Sequence, residues 1–228
     1  MPAKDAPIRD AINKAIDGRK RGRKKVIALV RRKHEYSKSR IRRVYEQSGL
    51  SLLYKPSKRL PAGERRPIER TLKANEEWAM DFMSDALANG RCIRGLTVID
   101  HYNLECKGIR IHHSIPSCRL IEILEQLFEV NGKPQRIRTD NGPEFISKRF
   151  QLWLKENEIE WVRIQPGKPQ QNAIIERFNR TVREDLFDAN LIFDLEHAAE
   201  LAQNFIYEYN NDRPHESLND LTPLEYAA

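Results

Sequence analysis

The order of short apolar segments after residue 74 constrains the fold of this 228-residue chain more than any other feature. In the first segment Trp78 and Met80 alternate with Ala79 and Asp81, as expected of side chains on opposite faces of a strand. Three strand-like segments come in succession, and further strands then alternate with amphipathic helices. The strand candidates are WAMDFMSDAL, CIRGLTVIDHY, KGIRIHHS, RIRTD and IEWVRI; the helix candidates are RLIEILEQLFEV, KRFQLWLKEN, NAIIERFNRTVREDLF and LEHAAELAQNFIYEYN. This order predicts an α/β fold with a mixed sheet flanked by helices.

The charge is divided unevenly along the chain. Residues 1–75 contain 23 Lys and Arg against 7 Asp and Glu, a net charge of +16, whereas residues 76–228 contain 17 against 26, a net charge of −9. A basic part beside an acidic part indicates that one part holds a polyanion while the other holds cations or performs chemistry. Nucleic acid is the first polyanion to consider.

Residues 1–54 are predicted to form a small basic helical region with a helix-turn-helix-like layout. Ser37 is a suitable N-cap for its last helix, and Gly49 is a suitable end. The cations of this helix could contact DNA phosphate, or the region could be a solvated basic helical pair. The predicted phosphate contacts are Arg40, Arg42 and Arg43.

Residues 55–73 contain three prolines and many cations without an apolar period, so they are predicted to be a basic linker. Residues 74–228 then contain the predicted α/β fold together with C-terminal helices and a tail. No segment approaches the roughly 18 consecutive apolar residues of a membrane span, and the N-terminus has no apolar signal segment. A cytoplasmic location without membrane partners is therefore expected.

Three acidic residues stand out because of their context. Asp81 lies in a strand between apolar neighbours, where a lone carboxylate is costly to bury unless it has a partner or a metal ion. Asp140 ends a separate strand and precedes the turn NGPEF, and Glu176 lies one turn into a helix, opposite its apolar stripe. There are 58 residues between the two aspartates and 35 between Asp140 and Glu176.

Three carboxylates at one edge of a sheet would repel one another unless cations neutralised them. Hard oxygen ligands select Mg²⁺ or Mn²⁺. Two such ions about 4 Å apart would activate an attacking water or 3′-hydroxyl and stabilise the leaving oxygen of a phosphoryl displacement. The sequence therefore predicts Asp81, Asp140 and Glu176 as catalytic residues and as ligands of two Mg²⁺ ions, for which Mn²⁺ can substitute.

The segments WAMDFMSD, RTDNGPEF and QPGKPQQNAIIERFNRTVRE resemble the three signature blocks of the integrase catalytic core of DDE transposases. The chain most resembles the second-frame product, OrfB, of two-frame bacterial insertion sequences, a group related to retroviral integrases. The resemblance covers roughly residues 65–228 and includes the 35-residue interval, the basic Arg183 seven positions after Glu176, and the tail YNNDRPHESLNDLTPLEY.

The resemblance implies an RNase H-like fold in which the strands that carry Asp81 and Asp140 lie side by side. It implies 3′-end cleavage followed by strand transfer between element ends and target DNA, in the bacterial cytoplasm and at the nucleoid when bound to DNA. It also implies a first-frame partner or fusion, and the joining of two ends suggests a working multimer. His101 stands where family members often have an acidic residue, and it is interpreted as structural.

Further DNA contacts are predicted around the helix of Glu176. Arg183 is expected to contact DNA, with pairing to a neighbouring acid as the alternative, and Glu144 is either a cap or an acid that supports the site. Two other functions stay open, namely a catalytically silent DNA-binding or regulatory protein and a nuclease of the same fold, which the block GKPQQNAIIERFNRT disfavours. The remaining predicted DNA contacts are Lys168, Gln171, Asn172 and Arg180.

Overall fold

A computed structural model describes residues 5–18, 21–50, 71–165 and 172–228. The chain divides into two compact units, of which one comprises Met1–Glu64 with Arg213–Thr222 and the other Arg65–Asp212 with Pro223–Ala228. The tail segment Arg213–Thr222 thus groups with the N-terminal residues, whereas the sequence-based division placed it with the core. The predicted linker lies outside the described residues except for positions 71–73.

Among residues 5–18 and 21–50, the smaller unit contains three α-helices, α1 (Ala6–Ile16), α2 (Arg23–Lys33) and α3 (Lys38–Gln47). Their apolar stripes meet in a common core that includes Ile8, Ile12, Val26, Ile41 and Val44. The predicted N-cap of α3 is confirmed, because the Ser37 hydroxyl accepts a hydrogen bond from the backbone N–H of Arg40. The predicted end is confirmed as well, since Gly49 has a φ of +69° just after the helix.

The larger unit contains the predicted mixed sheet of five strands. Its strands are β1 (Glu77–Ala86), β2 (Cys92–Asp100), β3 (Cys106–His112), β4 (Arg136–Thr139) and β5 (Glu160–Arg163), in the order β3-β2-β1-β4-β5. The first three strands form an antiparallel meander, while β4 runs parallel to β1 and β5 runs parallel to β4. The pairing of β1 with β4 confirms that the strands of Asp81 and Asp140 are neighbours.

Helices cover both faces of this sheet. Trp78 and Met80 of β1 face α4 (Ser117–Asn131) and α5 (Lys148–Glu156), whereas Ala79 and Met83 face α6 (Ala173–Val182) and α7 (Leu195–Asn211). A π-helical turn, Arg183–Phe187, continues α6, and a short 3₁₀ helix, Glu216–Leu218, and α8, Pro223–Ala227, follow α7. The alternation predicted for β1 is confirmed, and each of its faces buries a separate core.

Side-chain caps fix where two of the covering helices begin. Ser147 accepts a hydrogen bond from the backbone N–H of Phe150 at the start of α5, and Asp194 accepts one from His197 at the start of α7. Such caps satisfy amide groups that have no partner within the helix. No helix among the described residues is long and apolar enough to span a bilayer.

Candidate active site

Asp81 lies in the middle of β1, on the face of the sheet that α6 covers. Its neighbours on this face, Ala79 and Met83, belong to the same core as Ile175 and Phe178 of α6. The Asp81 carboxylate is only partly exposed, and its Oδ1 accepts a hydrogen bond from the following backbone N–H at 2.7 Å. The strand therefore presents this carboxylate beneath the helix that carries Glu176.

Asp140 directly follows β4 and begins the loop to α5. Parallel pairing places Ala79 of β1 opposite Arg138 of β4, and the two aspartates lie two residues further along their respective segments. Asp140 is exposed, and its Oδ1 accepts a hydrogen bond from the backbone N–H of Gly142 at 3.0 Å. The turn that follows β4 thus holds a second carboxylate at the same edge of the sheet as Asp81.

Glu176 lies exposed in the first turn of α6. Asn179 and Arg180 follow at i+3 and i+4, positions that share one side of a helix. The side-chain amide of Asn179 donates a hydrogen bond to Oδ2 of Asp81 at 2.8 Å. The side of α6 that carries Glu176 is therefore turned towards β1.

The electrostatics of Asp81 connect the three acidic residues. Burial is the largest effect and raises the pKa of Asp81, and the negative charges of Asp140 and Glu176 raise it further. The hydrogen bonds from the Phe82 backbone and the Asn179 side chain lower it in part, and the resulting pKa is about 6. Asp81 is thus under the electrostatic influence of both other acids.

The donor atoms of these residues suit a hard divalent cation. Carboxylate oxygens are the ligands that Mg²⁺ and Mn²⁺ prefer. Within residues 5–18, 21–50, 71–165 and 172–228, no three acidic, histidine or cysteine side chains form a ready-made cage for a metal ion. Two features therefore favour a cation here: the oxygen donors, and the raised pKa of Asp81. A bound positive charge would offset the repulsion of Asp81 by Asp140 and Glu176.

A small polar network supports Asp81 from α6 and β2. The Thr97 hydroxyl donates to Oδ1 of Asn179 at 2.7 Å, and it lies 3.1 Å from the carbonyl oxygen of Asp81. Thr97 is the direct partner of Asp81 in the pairing of β1 with β2. Sequence reasoning assigned no role to Asn179 or Thr97, although the i+3 spacing from Glu176 was a usable signal for Asn179.

Arg183 is engaged within the chain. Its guanidinium pairs with the Asp85 carboxylate and donates to the Ser84 carbonyl oxygen at 2.6 Å. It is the first residue of the π-helical turn and also lies over the ring of Phe187, 5.1 Å from its centroid. Pairing with a neighbouring acid was the alternative interpretation of Arg183, whereas Arg180 is exposed on the same helix.

The other predicted DNA contacts near α6 are only partly described. Lys168 and Gln171 lie outside the described residues. Asn172 is the N-cap residue of α6 and is 7% exposed, and its side-chain oxygen has no hydrogen-bond partner among the described residues. Among those predicted contacts beside Glu176 that the structure describes, Arg180 is the one with an exposed side chain.

The predicted phosphate contacts of α3 also have partners within their own unit. Arg43 donates to both carboxylate oxygens of the buried Asp5 at 2.9 and 3.0 Å, and Arg40 lies 3.4 Å from the same carboxylate. Arg42 donates to Glu46 at 3.1 Å. All three arginine side chains remain at least 40% exposed, so these ion pairs leave them accessible to a ligand.

His101 is buried at the far end of β1 from Asp140. Its Nδ1 lies 2.8 Å from Oε1 of Glu77, without the alignment of a hydrogen bond. Arg138 donates to both oxygens of the same carboxylate at 2.7 and 3.2 Å. His101 therefore lies beside the buried ion pair of Glu77 with Arg138, which agrees with its interpretation as a structural residue.

Sequence comparison places the chain among proteins of insertion elements. Two family profiles, each described as "Integrase core domain", match residues 72–169 and 157–223. A protein of insertion element IS407 from Burkholderia multivorans is 35% identical over 215 residues, which cover 94% of this chain and 78% of the relative. A protein of insertion element IS476 from Xanthomonas euvesicatoria is 36% identical over 189 residues, which cover 83% of this chain and 55% of the relative.

Structural comparison agrees on the class of fold. The catalytic core domain of HTLV-2 integrase, solved in complex with magnesium, has a TM-score of 0.58 at 21% identity and covers 70% of this chain and 100% of its own. The five-stranded mixed sheet between two helical layers is therefore an RNase H-like core of the integrase class. The chain belongs to the integrase-core family of insertion-sequence DDE transposases, which is related to retroviral integrases.

Proposed function

We propose that this chain is the catalytic subunit of an insertion-sequence transposase, which cleaves the 3′ ends of its element and joins them to target DNA. The proposal is carried by one observation, the placement of the partly buried Asp81 of β1 beside the segment of Asp140 and beneath α6, the helix of Glu176. Repelling carboxylates that come from a strand, a loop and a helix are expected where a protein binds cations or transfers phosphoryl groups.

Both steps are in-line displacements at phosphorus. In cleavage, a water oxygen forms a bond to phosphorus as the bond to the 3′-oxygen of the element breaks, and that oxygen takes up a proton to become a hydroxyl. In joining, this 3′-hydroxyl loses its proton and attacks a target phosphodiester, whose own 3′-oxygen leaves and is protonated. The number of phosphodiester bonds is unchanged in joining, so the step needs no energy-supplying cofactor.

The protein contributes position and charge to these steps. Asp81, Asp140 and Glu176 would hold two Mg²⁺ ions, or Mn²⁺ ions in their place, which when bound stabilise the charge on the attacking and leaving oxygens. Asn179 orients the Asp81 carboxylate from α6, and the backbone N–H of Gly142 orients Asp140. These contacts reduce the reorganisation that the carboxylates need during the reaction.

DNA would be bound by cations from both units. We assign the DNA end to Arg180 and Arg183 beside Glu176, together with Lys168, Gln171 and Asn172, and phosphate contacts to Arg40, Arg42 and Arg43 of α3. In this proposal the chain consists of a basic helical region at 1–54, a basic linker at 55–73 and a catalytic core at 74–228. The excess of positive charge in the first 75 residues supports this assignment.

The working complex would contain more than one copy of the chain, because two element ends are joined to one target. A first-frame protein, separate or fused, would supply recognition of the terminal repeats. This activity would take place in the bacterial cytoplasm, at the nucleoid. Each of these partners is an expectation of the family to which the chain belongs.

A strand-transfer assay tests the proposal. The chain, with the first-frame protein added, would be incubated with labelled duplexes copied from the inverted repeats beside its coding sequence, a plasmid target and Mg²⁺ or Mn²⁺. We expect joined products that require the divalent ion. Cleaved ends without joined products would instead indicate a nuclease, and salt-sensitive binding without either product would indicate a regulatory DNA-binding protein.

A further inference from the structure

The carboxylate of Glu144 is held behind the candidate active site. Glu144 lies in the loop that begins with Asp140, and its Oε1 forms an ion pair with Nη1 of Arg94 on β2. The Glu144 side chain is 14% exposed, and its Oε2 is buried without a hydrogen-bond partner among the described residues. Arg94 therefore supplies the positive charge that compensates this buried carboxylate.

Two aromatic rings connect this ion pair to β1. The Arg94 guanidinium lies over the ring of Phe82, 4.0 Å from its centroid. The same ring stacks on Phe145, with a centroid distance of 4.9 Å. Because Phe145 follows Glu144 in the chain, these three contacts and one peptide bond close a ring that runs from Phe82 to Arg94, to Glu144, to Phe145 and back.

The ring joins the backbones of the two aspartates from the opposite side of the sheet. Phe82 directly follows Asp81 in β1, and its side chain points to the other face of the strand. Glu144 and Phe145 lie four and five residues after Asp140, in a loop whose turn is closed by the hydrogen bonds of Phe145 and Ile146 to the carbonyl oxygen of residue 142. The ring therefore links the loop that begins with Asp140 to the strand that carries Asp81.

Three side chains lie close to Gly142 in this loop. A Cβ atom built there would lie 3.1 Å from Oδ1 of Asp140, 3.3 Å from the ring of Phe145 and 3.5 Å from Oε2 of Glu144. The Asp140 carboxylate and the unpartnered oxygen of Glu144 thus approach the same point of the turn. Loss of the Arg94 charge would leave an uncompensated carboxylate close to Asp140.

We propose that the ion pair of Glu144 with Arg94 is a positioning device, which holds Asp140 beside Asp81 and thereby sets the affinity of the acidic site for divalent cations. Neither residue touches the DNA or the reacting atoms in this assignment. The inference rests on the proposed function, because it takes the three acids as the cation site. Residues that orient the ligands of a metal typically change metal affinity by about 10- to 100-fold when they are removed.

Direct binding of Mn²⁺ to the full-length chain, followed by electron paramagnetic resonance of the free ion, tests this role without DNA. We expect Glu144→Gln and Arg94→Gln each to weaken Mn²⁺ binding about 10-fold. The double variant should bind no more weakly than either single variant, because both changes disable the same device. Arg94→Lys, which keeps the positive charge, should restore binding to within about threefold of the unchanged chain.

Matched variants separate the outcomes. Glu122→Gln removes an exposed ion pair with Arg119 on α4 and should leave Mn²⁺ binding unchanged. Asp81→Asn should abolish it, and Mn²⁺ binding that survives Asp81→Asn would overturn the proposed function itself. The positioning role is overturned if Asp81→Asn abolishes binding while Glu144→Gln binds as tightly as the unchanged chain. It is also overturned if the losses of the two single variants add in the double variant. Thermal unfolding of each variant establishes that a loss of binding is not a loss of fold.

Discussion

Asn179 on α6 donates a hydrogen bond from its side-chain amide to Oδ2 of Asp81 on β1 at 2.8 Å. The contact joins the helix of Glu176 to the strand that carries the first aspartate. It also ties both to β2, since the Thr97 hydroxyl donates to the same amide group at 2.7 Å. The orientation of Asp81 is therefore set by three elements rather than by its own strand alone.

Replacing Asn179 with alanine should move the pH dependence of joining. The Asn179 hydrogen bond lowers the pKa of Asp81, so its loss should raise that pKa further above its present value of about 6. The metal-free carboxylate would then be protonated over a wider pH range and would bind a divalent ion less readily. At limiting Mg²⁺ the acidic limb of the rate profile should therefore shift to higher pH, with a loss of about tenfold. Asn204→Ala, at an exposed position of α7, is the control. A uniform loss of rate at every pH would contradict this role.

Asp81→Asn should stabilise the protein when divalent ions are absent. The pKa of Asp81 is raised in the folded state from 3.8 to about 6, so the folded state holds the proton more strongly than the unfolded state. Stability therefore decreases as the pH rises through this window, by roughly 3 kcal/mol in full. Urea unfolding at pH 8 should show the variant to be more stable by about 1–3 kcal/mol, and the gain should disappear below pH 3.8. An equal difference at both pH values would refute the assignment.

Glu77→Gln should destabilise the protein with the opposite pH dependence. Burial alone would raise the pKa of Glu77, but His101 and Arg138 outweigh it and lower the pKa from 4.5 to about 2. The contribution of Glu77 to stability is thus complete above its unfolded value and is lost as the pH falls through about 2. We expect a loss of about 3 kcal/mol at pH 7 that shrinks below pH 4.5, measured by urea unfolding. The exposed Glu122→Gln should cost less than about 0.5 kcal/mol.

Asp85→Asn should strengthen DNA binding. Arg183 pairs with Asp85, and a DNA phosphate must compete with that carboxylate for the guanidinium. Removal of the negative charge should tighten the binding of an end-mimicking duplex several-fold, measured by fluorescence anisotropy. Arg183→Gln should instead weaken binding and reduce its salt dependence by about one phosphate contact. If Asp85→Asn leaves the affinity unchanged, Arg183 does not contact the DNA.

Local patterns predicted the parts of the fold that local forces determine. The alternation of Trp78 and Met80 with Ala79 and Asp81 fixed the two faces of β1, because side chains alternate along any strand. The cap at Ser37 and the end at Gly49 were equally local. The adjacency of β1 and β4, by contrast, was implied by family resemblance, since pairing between distant strands leaves little trace in a single sequence.

Contacts between distant residues accounted for what sequence reasoning missed. Arg43 pairs with Asp5, 38 positions earlier, and Asn179 contacts Asp81, 98 positions earlier. Both pairs depend on how helices pack against their neighbours. The spacing of apolar residues predicts which face of a helix is buried, but not which residues that face contacts. The pairing of Glu144 with Arg94 is of the same kind, and the sequence could therefore leave its role open between a cap and a supporting acid.

The most direct test of the account compares strand joining by the unchanged chain, Glu176→Gln and Glu184→Gln, with equal amounts of folded protein and Mg²⁺ or Mn²⁺. Glu184 is an exposed acid eight positions further along the same helical segment and is the matched control. The account predicts joined products from the unchanged chain and from Glu184→Gln, and none from Glu176→Gln, while all three proteins bind the DNA end. Undiminished joining by Glu176→Gln would contradict the assignment of the acidic site.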